Sequence, residues 1–182
     1  MRRLLFLLLI PFTMAGKTQA QVSLEIEGYS SFALEELSVL ADGTGFGGLV
    51  AVVYPLESWD MMEVVGKAGF NHYGTRKEDV LVEGDILIGI DSVYQGIPIT
   101  GGVRLYYGES RKFYVEGLLG VEIKRGDFDV FDLKDETTAA DPVASFGGGY
   151  AVTRRLAVVG SFAMSNDLWR YANLGVSLRF GG

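Results

Sequence analysis

The chain has 182 residues, of which 25 are glycine, one is histidine and none is cysteine, and its net charge is −7. This acidic balance argues against nucleic-acid binding, because phosphates would repel the protein. With no cysteine and one histidine, the chain offers little for a disulfide framework or a transition-metal site. Its mean hydropathy is +0.23 although it contains no apolar run long enough for a transmembrane helix. That combination is typical of alternating strands whose apolar side chains face lipid.

The N-terminus predicts export. Residues 1–20 begin with a basic pair, continue with the apolar run 4–10 and end with small residues at Thr18 and Ala20. This pattern is typical of a secretory signal peptide cleaved after Ala20, and it leaves 21–182 as one domain. Cleavage would remove three basic residues and no acidic residue, so the net charge would change from −7 to −10.

Beyond the signal peptide, apolar and polar residues alternate in segments bounded by turn residues, the mark of strands with two different faces. The eight segments are 22–30, 44–55, 60–73, a strand within 85–107 that is clearest at 97–107, 112–124, 142–152, 155–165 and 171–180. The facing of 44–55 cannot be read from the sequence, because both of its faces are apolar or glycine. An even number of such strands predicts an all-β antiparallel barrel.

The connections between these segments differ in length. LESWD, GESR and TRR are short, and SND at the end of the chain is also short. The remaining connections, 31–43, 74–84 and 125–141, are longer and acidic. This alternation predicts short periplasmic turns and longer outer loops, with both chain ends in the periplasm. The acidic residues of loop 125–141 are the oxygen ligands that hard cations use, but their spacing matches no defined calcium loop. Cation binding by this loop therefore stays open.

Aromatic residues gather near both ends of the segments, which is typical of the two interfaces of a membrane. The set near the expected periplasmic ends is Tyr54, Trp59, Tyr107, Phe113, Tyr150 and Phe180. The set near the expected outer ends is Phe46, Phe70, Tyr73, Tyr94, Trp169 and Tyr171. Together with the loop lengths, the two sets favour a membrane barrel over a soluble one.

Three stretches carry a family resemblance: GTGFGGLVAVVYPL, IPITGGVRLYYG followed by KFYVEGLLGVEI, and YANLGVSLRF. They resemble the porin-family outer-membrane β-barrel domain, and in particular small eight-stranded barrels of the OmpX and OmpA type, over about 22–180. The resemblance implies an eight-stranded antiparallel up-and-down transmembrane β-barrel in the bacterial outer membrane, in contact with its lipid and lipopolysaccharide. It also implies a C-terminal signal for the barrel-assembly machinery, formed by Tyr171, Leu174, Val176, Leu178 and Phe180. Two glycines follow Phe180, so the aromatic residue is not strictly terminal.

If the apolar faces meet lipid, the opposite faces fill the lumen. The charged residues on those faces are Glu25, Glu27, Glu63, Lys67, Arg104, Glu116, Glu122, Lys124 and Arg179. An eight-stranded barrel is just wide enough for its side chains to fill, and an unpaired buried charge is costly. We therefore predict a packed polar lumen in which these charges pair.

The sequence predicts a monomeric structural or surface-interaction protein, with no catalytic residues, cofactor or metal. Three alternatives stay open: a small passive pore, a lipid-modifying outer-membrane enzyme, and a soluble lipocalin-like barrel that binds a ligand inside. The enzyme would need a base beside a nucleophile. The only histidine is His72, it falls on the lipid-facing set, and Gly74 occupies the position where a partner serine would follow.

Overall fold

The computed structural model describes residues 22–34, 37, 43–56, 58–74, 78–82, 86–130, 133–165 and 169–181. The expected signal peptide, 1–20, lies outside the described residues. Within them the strands are β1 Ser23–Leu34, β2 Thr44–Pro55, β3 Met62–Tyr73, β4 Glu78–Val82, β5 Ile86–Tyr107, β6 Phe113–Val130, β7 Leu133–Ala151, β8 Leu156–Met164 and β9 Arg170–Phe180. In the part of the chain that the structure describes, no helix is long and apolar enough to cross a bilayer.

The strands form one closed antiparallel barrel. β1 pairs with both β2 and β9, successive strands pair onward from each, and β3 pairs with β5 to close the sheet. Eight strands make the wall, which confirms the predicted eight-stranded up-and-down barrel. β4 is additional: it pairs with β5 only beyond the point where β3 ends.

The two ends of the barrel differ. One end, here called the turn end, carries both ends of the described chain and the short turns at 108–112 and 152–155. At the other end β4, β5, β6 and β7 continue past their neighbours as a four-stranded sheet, here called the projecting sheet. The prediction of a loop at 125–141 was wrong, because β6 and β7 stay paired as far as Val130 and Leu133.

Side chains alternate between the lumen and the outside along every strand of the wall. The outward positions hold exposed apolar side chains, among them Leu24, Ile26, Val50, Val52, Val64, Ile99, Val103, Leu119, Val121, Phe146, Val158, Leu174 and Val176. The facing of β2 is now defined, since Ala51 and Val53 are fully buried in the lumen. They lie in an apolar cluster with Val65 and Leu118.

Two glycines allow β5 and β6 to approach closely on the lumen side. A β-carbon at Gly120 would collide with the carbonyl oxygen of Ile99, and one at Gly102 would collide with that of Gly117. Both obstacles are backbone, which cannot move aside cheaply. Bulkier residues would therefore push the two strands apart.

Gly120→Ala is expected to lower the free energy of unfolding by about 1–3 kcal/mol, the usual effect of overpacking. Gly66→Ala is the matched control, because Gly66 is also in the barrel wall and has open space around its α-carbon. We expect the control to stay within about 0.5 kcal/mol of the parent protein. Urea unfolding in lipid vesicles measures both, and equal losses would contradict the close approach.

Candidate functional site

The lumen near the turn end is built around a buried arginine. Arg104 is 1% exposed, and its two terminal nitrogens donate to the two carboxylate oxygens of Glu25, each at 2.8 Å. Its Nε and Nη2 donate to Glu116 Oε2 at 3.2 and 3.0 Å, and its Nη1 lies 3.7 Å from Glu63 Oε2. The guanidinium also lies 4.1 Å from the ring centre of Tyr114. Hydrogen bonds and the aromatic face together satisfy the charge of the guanidinium.

Two further basic side chains extend this set of contacts. Arg179 Nε donates to Glu25 Oε1 at 2.6 Å, and its Nη2 donates to Glu63 Oε2 at 2.8 Å. Lys67 Nζ donates to Glu27 Oε1 at 3.0 Å and also contacts Glu116. Seven of the nine charged residues that the sequence placed in the lumen thus form one connected set. This set, here called the lumen charge cluster, is Glu25, Glu27, Glu63, Lys67, Arg104, Glu116 and Arg179.

Strand register and barrel closure both build the cluster. Glu25 lies directly opposite Arg179, and Arg104 lies directly opposite Glu63 on one side and Glu116 on the other. The Arg104–Glu25 contact is different, because β5 and β1 are not neighbours in the sheet. It crosses the lumen and ties together two parts of the wall that β2 and β3 separate.

Sequence reasoning missed two members of this site. Arg111 Nη2 donates to Glu63 Oε1 at 3.3 Å, and Tyr106 Oη donates to Glu63 Oε2 at 2.9 Å. Tyr106 could have been found, because it shares the lumen face of β5 with Arg104. Arg111 belongs to a turn, where the alternation that identifies lumen residues does not apply. With Arg111 included, four basic residues face four acidic ones.

Glu122 and Lys124 lie apart from this cluster, towards the projecting end. Glu122 Oε1 accepts hydrogen bonds from Tyr171 Oη at 3.1 Å and from Asn71 Nδ2 at 3.4 Å. Lys124 Nζ lies 3.0 Å from Asp141 Oδ2 and 5.1 Å from the ring centre of Trp169. The predicted polar set therefore occupies two layers of the lumen, one rich in charge and one rich in aromatic rings.

The second layer corrects the predicted outer aromatic girdle. Tyr73, Tyr94, Trp169 and Tyr171 are buried rather than directed to the outside. Tyr73 and Tyr94 lie against Trp169, with ring centres 6.3 and 5.6 Å from it. Tyr73, Tyr94 and Tyr171 fall on lumen-facing positions of their strands, and Trp169 keeps the same alternation one residue before β9 begins. The alternation outweighs their position near the strand ends. They form an aromatic layer in the lumen.

The other predicted aromatic residues are on the outside. Phe46 and Phe70 remain exposed, as do Trp59, Tyr107, Phe113, Tyr150 and Phe180 near the turn end, while Tyr54 is partly exposed. His72 lies between Phe46 and Phe70, with ring centres 5.1 and 6.3 Å from theirs. Its position on the outer face agrees with the alternation. The terminal strand alternates too, with Tyr171 inside and Leu174, Val176, Leu178 and Phe180 outside.

The open space in the barrel is uneven. Midway along the lumen, beside Lys67 and Glu116, a cavity of about 40 Å³ leaves room for a few water molecules. At the turn end a cavity of about 830 Å³ opens below the lumen charge cluster. Among the described residues, no group of three or more histidine, cysteine, aspartate or glutamate side chains could hold a metal ion.

Comparisons with known proteins identify the fold. No protein-family model and no curated protein sequence matches the chain. Among solved structures, Ail, the attachment invasion locus protein of Yersinia pestis, is 20% identical with a TM-score of 0.61, over 90% of this chain and 100% of the Ail chain. The chain has the fold of a small eight-stranded outer-membrane barrel. The predicted resemblance is thus confirmed for the fold.

Two further solved structures have the same fold. Ail in complex with the heparin analogue sucrose octasulfate is 19% identical with a TM-score of 0.57, over 90% of this chain and 100% of the other. A major outer membrane protein from Thermus thermophilus is 14% identical with a TM-score of 0.52, again over 90% and 100%. These identities are too low to carry function from one protein to the other.

Proposed function

We propose that the protein is an integral, monomeric β-barrel of the bacterial outer membrane, with a packed polar lumen and a structural or surface-interaction role. The observation that carries this proposal is the distribution of side chains. Leu119 is 71% exposed on the outer wall, whereas Arg104 and Glu122 are 1% and 0% exposed inside. Lipid stabilises such an outer surface, and water does not. A lipocalin-like barrel would need the reverse arrangement, with apolar side chains around an inner ligand.

The fold shared with outer-membrane barrels supports an orientation of the protein in this membrane. Short turns of such barrels lie in the periplasm and longer elements lie outside. The turn end would then face the periplasm, and the projecting sheet would face the exterior, beside lipopolysaccharide. Cleavage after residue 20 would deliver the chain to the periplasm. There we propose that Tyr171, Leu174, Val176, Leu178 and Phe180 present the terminal strand to the barrel-assembly machinery.

The packed lumen favours a closed barrel over a passive pore. The Arg104–Glu25 pair crosses the lumen, and the cavity beside Lys67 has a volume of only about 40 Å³. Opening a path for ions would require buried ion pairs to separate, which is costly. Planar-bilayer recordings of the purified protein are expected to show no steady conductance.

The projecting sheet is the proposed interaction surface. Residues 86–93 of β5 continue beyond the last β3–β5 pair and would span about 26 Å. Its register places Asp91 opposite Asp129 and Asp127 opposite Glu136. The sequence of the projecting strands is rich in acidic residues, so we propose a cationic partner for this surface. The sulfated ligand seen with Ail is therefore a poor guide to the partner of this chain.

Heat-modifiability tests the proposed membrane barrel. The protein is extracted from washed outer membranes and run in SDS with and without boiling. A change in mobility on boiling is expected, since a folded barrel resists SDS until heated. Recovery in the soluble fraction without a mobility change would overturn the proposal and would support a soluble barrel instead.

His72→Ala tests the absence of catalysis. His72 contacts aromatic rings on the outer wall, so its loss should leave the lipid A profile of the host membrane unchanged. Mass spectrometry of extracted lipid A, compared between the parent protein, the variant and a deletion strain, gives the readout. A modification that disappears in the variant and in the deletion strain, but not in Phe70→Ala, would contradict the non-catalytic role.

A further inference from the structure

The cavity at the turn end is basic in a chain that is acidic overall. Its acidic lining residues in the described chain are Glu25 and Glu63. Its basic lining residues are Arg104, Arg111, Lys112, Arg154, Arg155 and Arg179. The net charge of the whole chain is −7. A concentration of positive charge in a cleft of such a protein creates a local field that attracts anions.

The basic residues divide into a paired floor and an open rim. Arg104 and Arg179 form the floor, where the glutamates already neutralise them. Lys112, Arg154 and Arg155 form the rim, and all three are exposed. Among the described residues, these three side chains form no ion pair. The excess positive charge therefore lies at the mouth of the cavity.

Backbone contacts hold the rim in place. The Arg155 carbonyl accepts a hydrogen bond from Arg179 N at 2.8 Å, and the Lys112 carbonyl accepts one from Ala151 N at 2.7 Å. The Thr153 hydroxyl oxygen accepts a hydrogen bond from Arg155 N at 3.2 Å. The two turns are thus tied to neighbouring strands. A ligand would meet cations whose backbone positions are already fixed, so binding need not order the turns that carry them.

Arg111 shows local strain at the same mouth. Its φ is 49°, in the left-handed region that residues other than glycine seldom occupy. This conformation places its guanidinium 4.4 Å from the ring centre of Tyr106 and in contact with Glu63. Strain of this kind concentrates at ligand-binding sites.

We propose that this cavity binds a phosphate-bearing anion from the periplasmic side. A phosphate group offers several strong acceptor oxygens and up to two negative charges, which suit a rim of two arginines and a lysine. The source is either the headgroup of an anionic phospholipid or a small soluble phosphoanion. Exposed Tyr107 and Tyr150 lie at the turn end, where aromatic residues mark the headgroup level. The headgroup source rests on the proposed membrane location.

Two binding arms, both with the full-length protein, test the proposal. In the first, the barrel in phosphatidylcholine nanodiscs is titrated with sodium pyrophosphate by calorimetry at low salt. In the second, native mass spectrometry counts phosphatidylglycerol retained from nanodiscs that contain it. Arg154→Gln/Arg155→Gln is expected to weaken binding at least about tenfold. Arg125→Gln, which removes an exposed positive charge near the projecting sheet, is the control and should leave binding unchanged.

Each outcome has a defined meaning. Binding in the first arm that depends on the two arginines identifies a soluble phosphoanion, and binding in the second arm that depends on them identifies the lipid headgroup. Absence of arginine-dependent binding in both arms overturns the inference. The same samples are checked for the mobility change on boiling. A barrel that shows the change but binds nothing contradicts only the phosphate site, whereas loss of the change contradicts the proposed function.

Discussion

Replacing Arg104 with methionine is expected to lower the free energy of unfolding by about 3–5 kcal/mol, the range for breaking a buried ion pair from one side. Arg104 is 1% exposed and donates to Glu25 and Glu116. Methionine fills similar space but donates nothing. Glu25, Glu63 and Glu116 would then face one another with Arg179 and Lys67 as their remaining strong partners inside the lumen.

Arg104→Lys separates the contribution of the positive charge from that of the guanidinium geometry. Lysine keeps the positive charge but lacks the planar fork that bonds both oxygens of Glu25 at once. Its unfolding free energy should fall between those of the parent protein and Arg104→Met. Urea titrations in lipid vesicles, followed by tryptophan fluorescence, measure all three. A methionine variant as stable as the parent protein would mean that the cluster does not hold the barrel walls together.

A further substitution distinguishes the cost of an unpaired carboxylate from the cost of poor packing by methionine. Adding Glu25→Gln to Arg104→Met removes the carboxylate that accepts hydrogen bonds from both terminal nitrogens of Arg104. Because truncating one partner is costly mainly through the uncompensated charge that remains, the double variant should be more stable than Arg104→Met alone. This recovery would not occur if methionine merely packed badly.

The inner face of the barrel could be predicted because strand side chains alternate with a period of two. Glu25, Lys67 and Arg104 fall on that face by parity alone, whatever surrounds them. Their partners could not be read in the same way, since the Arg104–Glu25 contact depends on how far the sheet curls before it closes. For β2 even the facing was hidden, because Ala51 and Val53 differ little in polarity from the outward Val50 and Val52.

At the projecting sheet, composition predicts the wrong secondary structure. The acidic residues between 125 and 141 predict a loop, although a strand exposed to water can carry charge on both faces. β6 and β7 in fact pair as far as Val130 and Leu133. The aromatic residues give a similar error, because nearness to a strand end predicts that Tyr73 and Trp169 face outward, whereas the alternation of side chains directs them inward. In both cases the alternation was the better guide.

The second large effect is expected for Leu119→Arg, which should lower the free energy of unfolding by about 2–4 kcal/mol when the barrel is in a bilayer. Leu119 lies in the middle of the barrel portion of β6, and its side chain is 71% exposed on the outer wall. An arginine at that depth must enter hydrocarbon or pull water and headgroups towards itself. In water the same exposed substitution would change stability by no more than about 0.5 kcal/mol.

The depth of the substituted residue in the bilayer gives the decisive control. Val22→Arg adds the same side chain at an exposed apolar position just before β1, at the turn end, where an arginine reaches the headgroups and should destabilise by about 0–1 kcal/mol. Unfolding of both variants in vesicles compares the two depths directly. A large difference between the two stability losses requires lipid around the middle of the barrel, because two exposed sites in water would respond alike. Equal small losses would place the apolar wall in water and reverse the assignment of the membrane.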